Sequence, residues 1–213
     1  MQKKDNVSMS VIRRLPRYYR FLSELQSKGV SRISSRELSD KMGLTASQIR
    51  QDLNCFGGFG QQGYGYIVEQ LHDEIGNILG LKNAYPAILI GAGNLGRAVA
   101  IHMSFENRGF ELIGIFEQNP QIIGQTIRGI TVSDVKGLAD FCDRRSPVMA
   151  ILCIPQEAVE SISNTLISHG VKNFWNFSHY DITAKHPDVV MENVHMSDSL
   201  MTLCYRINSR KDG

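Results

Sequence analysis

Two stretches of this chain carry residue types whose spacing could do chemistry. The first is Gly91-Ala92-Gly93-Asn94-Leu95-Gly96, with three glycines at G-x-G-x-x-G spacing. Gly91 suits a tight turn, Gly93 lets a pyrophosphate approach the backbone, and Gly96 lets a helix pack against a strand. A helix starting there would offer free N–H groups and a partial positive charge to phosphates. Ala87-Ile88-Leu89-Ile90 reads as a buried strand before the glycines. Arg97 to Phe105 reads as a helix after them, with Leu95, Val99 and Met103 on one face. A second strand, Glu111 to Phe116, ends at Glu117, which lies 21 residues beyond Gly96. A carboxylate at that distance is placed to meet adenosine ribose hydroxyls. A glycine turn beside a surface acid is the plainer alternative, but strand, helix and acid together favour a dinucleotide.

The second stretch runs from Ser47 to Asn54. Ile49, Leu53 and Phe56 are spaced i, i+4, i+7 and should face a core shared with Leu38 and Met42. That turns Ser47, Gln48, Arg50, Gln51 and Asn54 outward. Arginine can take guanine O6 and N7, and Gln or Asn can take adenine N6 and N7, so this is a candidate base-reading face. The competing reading is the solvated side that any small helix has.

The elements around the second stretch support the DNA reading. Ser34-Ser-Arg-Glu37 and Thr45-Ala-Ser-Gln48 are capping boxes. They open helices over about Ser35–Met42, stopped by Gly43, and about Ala46–Phe56, which together make a helix-turn-helix. Ahead of it, Val11, Leu15, Leu22 and Leu25 mark an amphipathic helix ending at Gly29, with Pro16 early in it. Arg13, Arg14, Arg17 and Arg20 crowd its other side, and Arg13 and Arg14 are candidate phosphate contacts. Gly57 to Tyr66 holds five glycines among ten residues, a hairpin signature. A hairpin following a recognition helix is a wing, and Gln61, Gln62 and Tyr64 are its candidate DNA contacts.

Beyond the wing, a helix is expected over Ile67–Leu81, an irregular stretch over Thr126–Val132, and a helix over Ser133–Cys142. Val148 to Ile154 is a continuous apolar run, as a strand buried on both faces should be, and it ends at Pro155. A helix follows to His169-Gly170, then strands over Val171–Phe177 and Val189–Asn193, and a last helix over Ser197–Asn208. Leu200, Leu203, Cys204 and Ile207 form a stripe on that helix, suited to docking on its own sheet or on a second subunit. Strands alternating with helices predict an open parallel sheet wound on both faces. Pro155 and Asn176 would then sit at strand C-terminal ends beside the dinucleotide crevice. The fold class expected is α/β: an N-terminal winged helix-turn-helix over 1–82, a Rossmann-like parallel sheet over 83–195, and a terminal dimerisation helix over 196–213.

Composition agrees. The 213 residues are 42% hydrophobic and 21% charged, typical of a globular protein. The net charge of +2 hides an asymmetry: residues 1–66 hold 11 Lys/Arg against 5 Asp/Glu, and the remainder 12 against 16. A basic first third points to a polyanionic partner. No apolar run reaches the roughly 18 residues of a membrane helix, and Met1-Gln-Lys-Lys-Asp-Asn has no apolar segment behind it. A cytoplasmic protein without membrane contact is expected. Cys55, Cys142, Cys153 and Cys204 are scattered without metal-ligand spacing, so reduced thiols, mostly in the core, and no metal are expected.

The combination resembles the Rex family of redox-sensing transcriptional repressors, from about Ser10 to Ile207. The resemblance rests on Arg13-Arg-Leu-Pro-Arg-Tyr, Ile33-Ser-Ser-Arg-Glu-Leu, Gln48-Ile-Arg-Gln-Asp-Leu, Phe56-Gly-Gly-Phe-Gly-Gln-Gln-Gly-Tyr-Gly-Tyr and Gly91-Ala-Gly-Asn-Leu-Gly-Arg. It implies a homodimer on double-stranded inverted-repeat operator DNA, released when NADH replaces NAD+, with C-terminal helices swapped between subunits. The chain departs from the family at Gln62, usually basic, and at Glu117, usually Asp. His102, His179 and His195 stand where many members have Tyr, Pro and Asp. Two other functions compete. One is a DNA-binding protein whose Rossmann domain is mainly a dimerisation scaffold. The other is a small NAD-dependent dehydrogenase, disfavoured because only 59 residues follow Ile154, too few for a substrate domain. No catalytic residue is assigned.

Overall fold

The computed structural model describes residues 7–61 and 64–210. The expectation about residues 1–6, the wing residue Gln62, and the end of the 196–213 segment from 211 on lie outside the described residues. The chain folds as two compact units, Met1–Lys82 and Asn83–Gly213.

In the first unit, α1 (Met9–Ile12) leads into α2 (Leu15–Ser27), which buries Leu15, Tyr18, Leu22 and Leu25. Pro16 falls in the first turn of α2, where a missing N–H breaks no helical bond. There follow β1 (Arg32–Ile33), α3 (Ser35–Met42), α4 (Ala46–Asn54), β2 (Gly60–Gln61), β3 (Gly65–Ile67) and α5 (Val68–Ile78). β3 lies between β1 and β2 and is antiparallel to both, which makes the wing a three-stranded sheet. α5 starts one residue later than expected because Ile67 is held in the sheet opposite Arg32. Leu38, Met42, Ile49 and Leu53 share one core with Leu71 and Ile75. Phe56 packs on that core from beyond the end of α4.

The two capping boxes differ. Ser34 and Glu37 make the full reciprocal box at α3. At α4 only half forms. Thr45 Oγ1 accepts from the Gln48 N–H at 3.1 Å, but the Gln48 amide turns away to Asp52.

The second unit comprises β4 (Tyr85–Ile90), α6 (Asn94–His102), β5 (Phe110–Glu117), β6 (Thr126–Ile127), β7 (Ile130–Asp134), α7 (Leu138–Arg145), β8 (Met149–Leu152), α8 (Gln156–Ser168), β9 (Asn173–Asn176), β10 (Val190–Asn193) and α9 (Met196–Asn208). The sheet order is β10-β9-β8-β4-β5-β7-β6, parallel throughout except for β6 against β7. The α/β class with a Rossmann-like parallel sheet is therefore as expected. α7 and α8 cover one face through Leu138, Cys142, Val159 and Leu166 against Ile88, Ile90 and Leu152. α6 covers the other face through Val99 and Ala100 against Ala87, Leu89 and Ile151. Both sides of β4 and β8 are buried, which is why they read as unbroken apolar runs.

In the second unit the largest departures from the reading of the sequence fall on α6, β7 and α7. α6 begins inside the glycine motif, at Asn94 and not at Arg97, and ends at His102 and not at Phe105. Thr126–Val132 is no irregular stretch. It is a hairpin turning at Arg128 and Gly129, with φ of 52° and 78°, whose second strand joins β5. That strand runs to Asp134, and so the helix expected from Ser133 starts at Leu138. The β-branched run Ile130-Thr131-Val132 prefers the sheet, and the Asp134 side chain then caps a short 3-10 turn by accepting from the Lys136 N–H.

α9 buries none of its described residues against its own unit. Every residue from Met196 to Arg210 is exposed, with Leu200 at 67% and Leu203 at 51%. Docking of the stripe on its own sheet is thus not what the fold does. The sheet face occupied by α6 is also incompletely covered. A groove of about 740 Å³ runs there past Tyr85, Met103, Phe110, Met149, Trp175 and Val190. Among the described residues, no helix is long and apolar enough to cross a membrane.

Candidate functional site

The second unit places the glycine motif at the point where the strand order reverses, between β4 and its neighbours β5 and β8. The C-terminal ends of these strands open a cleft of about 310 Å³ lined by Gly91, Gly93, Glu117 and Pro155, with Ile122, Ile154 and Ile162 as apolar walls. Open parallel sheets bind ligands at this kind of crevice. Two of the glycines are fixed by close approach. Gly91 has a φ of 93°, and a Cβ there would lie 2.4 Å from the Cys153 carbonyl oxygen. A Cβ on Gly96 would lie 1.8 Å from the Gly91 oxygen, because α6 crosses its own entry turn at this residue. Gly93 faces open space, so the backbone there is accessible. No side chain caps the first turn of α6, which begins with Asn94 and Leu95.

Glu117 sits against this turn. Its Oε2 accepts from the Ala92 N–H at 2.7 Å, and its Oε1 accepts from the Gln118 and Asn119 N–H groups at 2.7 and 3.0 Å. One carboxylate therefore ties the end of β5 to the glycine turn. An N–H-lined turn, an adjacent carboxylate and apolar walls can together hold an anionic ligand bearing a hydroxylated sugar and a flat ring.

Asn176 is not part of the cleft lining. It is buried, and its Nδ2 donates to Tyr180 O at 2.9 Å and Asn193 Oδ1 at 2.8 Å, while its Oδ1 accepts from Ser178. It shapes the loop after β9. In that loop His179 Nδ1 lies 3.1 Å from His195 Nδ1, with the rings stacked, so the base of α9 is tied to the loop. His102 ends α6 and is exposed. The cysteines are less central than expected, since Cys55 and Cys204 are exposed. Burial pushes the Cys142 thiol up to about 11 and Cys153 up to about 12, which makes both poor nucleophiles. Among the described residues, no cluster of three or more His, Cys, Asp or Glu could hold a metal.

In the first unit, Ser47, Arg50, Gln51 and Asn54 are exposed on α4 as the periodicity requires, and Arg50 Nη1 donates to Ser35 Oγ at 3.0 Å. Tyr64 is exposed beside the wing, Gln61 pairs through its backbone with Gly65, and Arg13 is exposed. Gln48 and Arg14 are half-buried, because both reach a residue the outward-face reading passed over. Asp52 is completely buried. Its Oδ2 accepts from Arg14 Nε at 2.6 Å and Tyr18 Oη at 2.9 Å, and its Oδ1 from Arg14 Nη2 at 2.7 Å and Gln48 Nε2 at 2.8 Å. Burial alone would push this carboxyl up, but the hydrogen bonds from Arg14, Gln48 and Tyr18 outweigh it and hold it below the usual aspartate value. A signal for it existed. Asp52 precedes Leu53 and follows Ile49 by three, which is the inward phase of the helix, and a carboxylate there requires partners.

Residues 6–54 match the family model described as "Putative DNA-binding protein N-terminus", and residues 82–180 match the CoA binding domain model. The redox-sensing transcriptional repressor Rex of Thermoanaerobacter pseudethanolicus (strain ATCC 33223 / 39E) is 54% identical over 211 residues, covering 99% of this chain and 94% of that protein. The chain belongs to the Rex family. It is a redox-sensing transcriptional repressor, as its relatives are named, and not an enzyme. Rex of Clostridium perfringens (strain SM101 / Type A) is 50% identical over 208 residues, 98% of either chain. Crystal structures of RSP, a Rex-family repressor, superpose over 98% of this chain. The complex of RSP with beta-NAD+ and operator DNA gives a TM-score of 0.88 at 54% identity over 95% of that chain, and the complex with beta-NADH 0.89 at 51% over 97%.

Proposed function

We propose that this Rex-family chain binds double-stranded operator DNA through its first unit, as a homodimer in the cytoplasm, and lets go when NADH occupies the cleft of the second. The observation that carries the reading is the Glu117 carboxylate held at the glycine turn, in a switch-point cleft with apolar walls. That constellation suits an adenine dinucleotide with a free 2′-hydroxyl. Gly91, Ala92, Gly93, Asn94, Leu95 and Gly96 form the phosphate turn, Glu117 meets the ribose, and Pro155 borders the ligand. NADH and NAD+ differ by a positive charge on the nicotinamide, and an apolar environment disfavours the charged ring. A ligand shifts DNA binding only through its differential affinity for the two states. Calorimetric titration with each dinucleotide, followed by operator binding in its presence, tests the reading. NADH is expected to bind more tightly and to dissociate the DNA. Equal operator affinity with and without saturating NADH would leave the second unit as a scaffold.

The dimer rests on a second observation. α9 exposes an apolar stripe, and the α6 face of the sheet leaves an apolar groove uncovered. A thirteen-residue helix is marginal alone in water, and a second copy buries both surfaces. Two-fold symmetry then matches an inverted repeat. Deleting residues 196–213 is expected to give monomers that do not bind operator. A truncated chain that still sediments as a dimer would exclude the helix as the main tie.

A further inference from the structure

We propose that Asp52 is a positioning residue for DNA recognition, aiming the Arg14 guanidinium at a backbone phosphate and fixing the Gln48 side chain beside the exposed residues of α4. The proposal rests on the reading that the first unit binds DNA. Asp52 receives four hydrogen bonds on its two oxygens, from Arg14 twice, Tyr18 and Gln48, at 2.6 to 2.9 Å. No acceptor capacity is left for anything else, so the carboxylate itself does not meet DNA. Arg14 is held differently. Asp52 takes its Nε and Nη2 edge, the side chain remains 27% exposed, and Nη1 has no hydrogen-bond partner among the described residues. A guanidinium gripped along one edge presents the other in a fixed direction, which suits a phosphate oxygen.

The clamp also spans the motif. Arg14 stands at the N-cap of α2 and Asp52 on α4, 38 residues later, so one carboxylate ties the phosphate contact to the recognition helix. Gln48 lies one helical turn before Asp52 and spends an amide N–H on it. That explains why its capping box is incomplete, and it leaves Gln48 in one orientation beside Arg50 and Gln51. Free Arg and Gln side chains lose rotamer freedom when they bind, and a clamp removes that loss beforehand.

Charge and positioning predict opposite outcomes when Asp52 is neutralised. A carboxylate beside phosphates repels them, so on charge alone Asp52→Asn binds DNA more tightly. If Asp52 positions Arg14, Asp52→Asn binds more weakly, by about tenfold or more for the loss of one charge-assisted contact. The slope of log affinity against log salt should also fall by about one for each copy bound. The probes are a random-sequence duplex and an inverted-repeat duplex selected by the wild-type chain from a randomised pool, with thermal unfolding checking that the variant is folded. Arg14→Ala should give the same reduction in slope, and the double variant should lose no more than either single one. Arg14→Lys, which keeps Asp52 and a positive charge beside it but not the two-point fork, should behave like Arg14→Ala. Asp52→Asn or Arg14→Lys binding as tightly as wild type overturns the proposal, while Arg14→Ala still weakens DNA. Failure of the wild-type chain to bind either duplex overturns the DNA reading itself.

Discussion

Asp52 in the helix-turn-helix and Glu117 at the glycine turn are carboxylates satisfied in different ways. Asp52 is sealed inside the helix-turn-helix and held entirely by side chains from α2 and α4. Glu117 is half-buried at the end of a strand and held entirely by backbone N–H groups. The first arrangement depends on which residues surround the acid. The second depends on where the backbone runs, and the glycines decide that. The first unit thus builds its functional surface from side-chain identity, and the second from main-chain geometry.

The largest effect should come from adding one carbon to the backbone-built site. In Gly96→Ala the new Cβ would meet the Gly91 carbonyl oxygen at 1.8 Å, an atom that no side-chain rotation can move. α6 must lift from β4, and dinucleotide affinity should fall more than ~100-fold, since small displacements at a preorganised site carry that scale of loss. Titration with NADH measures it. Affinity within threefold of wild type would mean that the turn is softer than its geometry implies.

The side-chain-built site should break by removal. Asp52→Ala leaves Arg14, Tyr18 and Gln48 without their shared acceptor, and breaking such a pair costs about 3–5 kcal/mol of stability. Because its folded carboxyl titrates below the unfolded value of about 3.9, the stability Asp52 contributes is complete above that pH and is lost as pH falls through the lower folded value. Denaturant melts of wild type and Asp52→Asn across the acid range should therefore converge below about pH 4. Parallel curves down to the lowest pH would show that Asp52 is not the titrating group.

This contrast decided what was legible in the sequence. The glycine turn, the strand before it and Glu117 were readable, because main-chain geometry leaves glycines at fixed spacing and an acid at a fixed distance. β1 was not readable, since two residues, Arg32 and Ile33, carry no periodicity and are strand only because β3 pairs with them. The hairpin at Arg128-Gly129 was hidden because a non-glycine residue adopts a positive φ there. The Asp52 network was hidden because two of its three partners, Tyr18 and Arg14, lie 34 and 38 residues away, and helical phase shows that an acid is buried without showing what satisfies it. Asn176 is a related case. Its position at a strand end was correct, but tertiary hydrogen bonds turn it into the following loop.

Arg50→Ala should have a smaller effect, about 1–3 kcal/mol on the selected operator, with relaxed preference at the base it reads. Arg50 is exposed and its one side-chain hydrogen bond among the described residues goes to Ser35 Oγ, so the loss should appear in binding more than in melting. Equal weakening on selected and random duplexes would assign Arg50 to the phosphates instead.

The smallest effect tests the second carboxylate. Glu117 should favour NAD(H) over NADP(H), because a carboxylate at the ribose repels a 2′-phosphate. Yet part of that carboxylate is already engaged, with Oε2 on Ala92 N–H and Oε1 on two further backbone donors. Replacing it therefore removes three backbone ties as well as one charge, and the two consequences separate by ligand. Glu117→Gln loses the charge and keeps a single oxygen, which can accept from the Ala92 N–H or from the Gln118 and Asn119 N–H groups but not from both sides, so NADH affinity should fall severalfold while NADPH loses less, narrowing the preference about tenfold, the equivalent of ~1.4 kcal/mol. Glu117→Ala frees all three N–H groups and loosens the turn, so NADH affinity should fall further. Competition titrations with both reduced dinucleotides distinguish the variants. If Glu117→Gln left the NADH-to-NADPH ratio unchanged, the carboxylate would be a brace for the glycine turn and not a reader of the ribose.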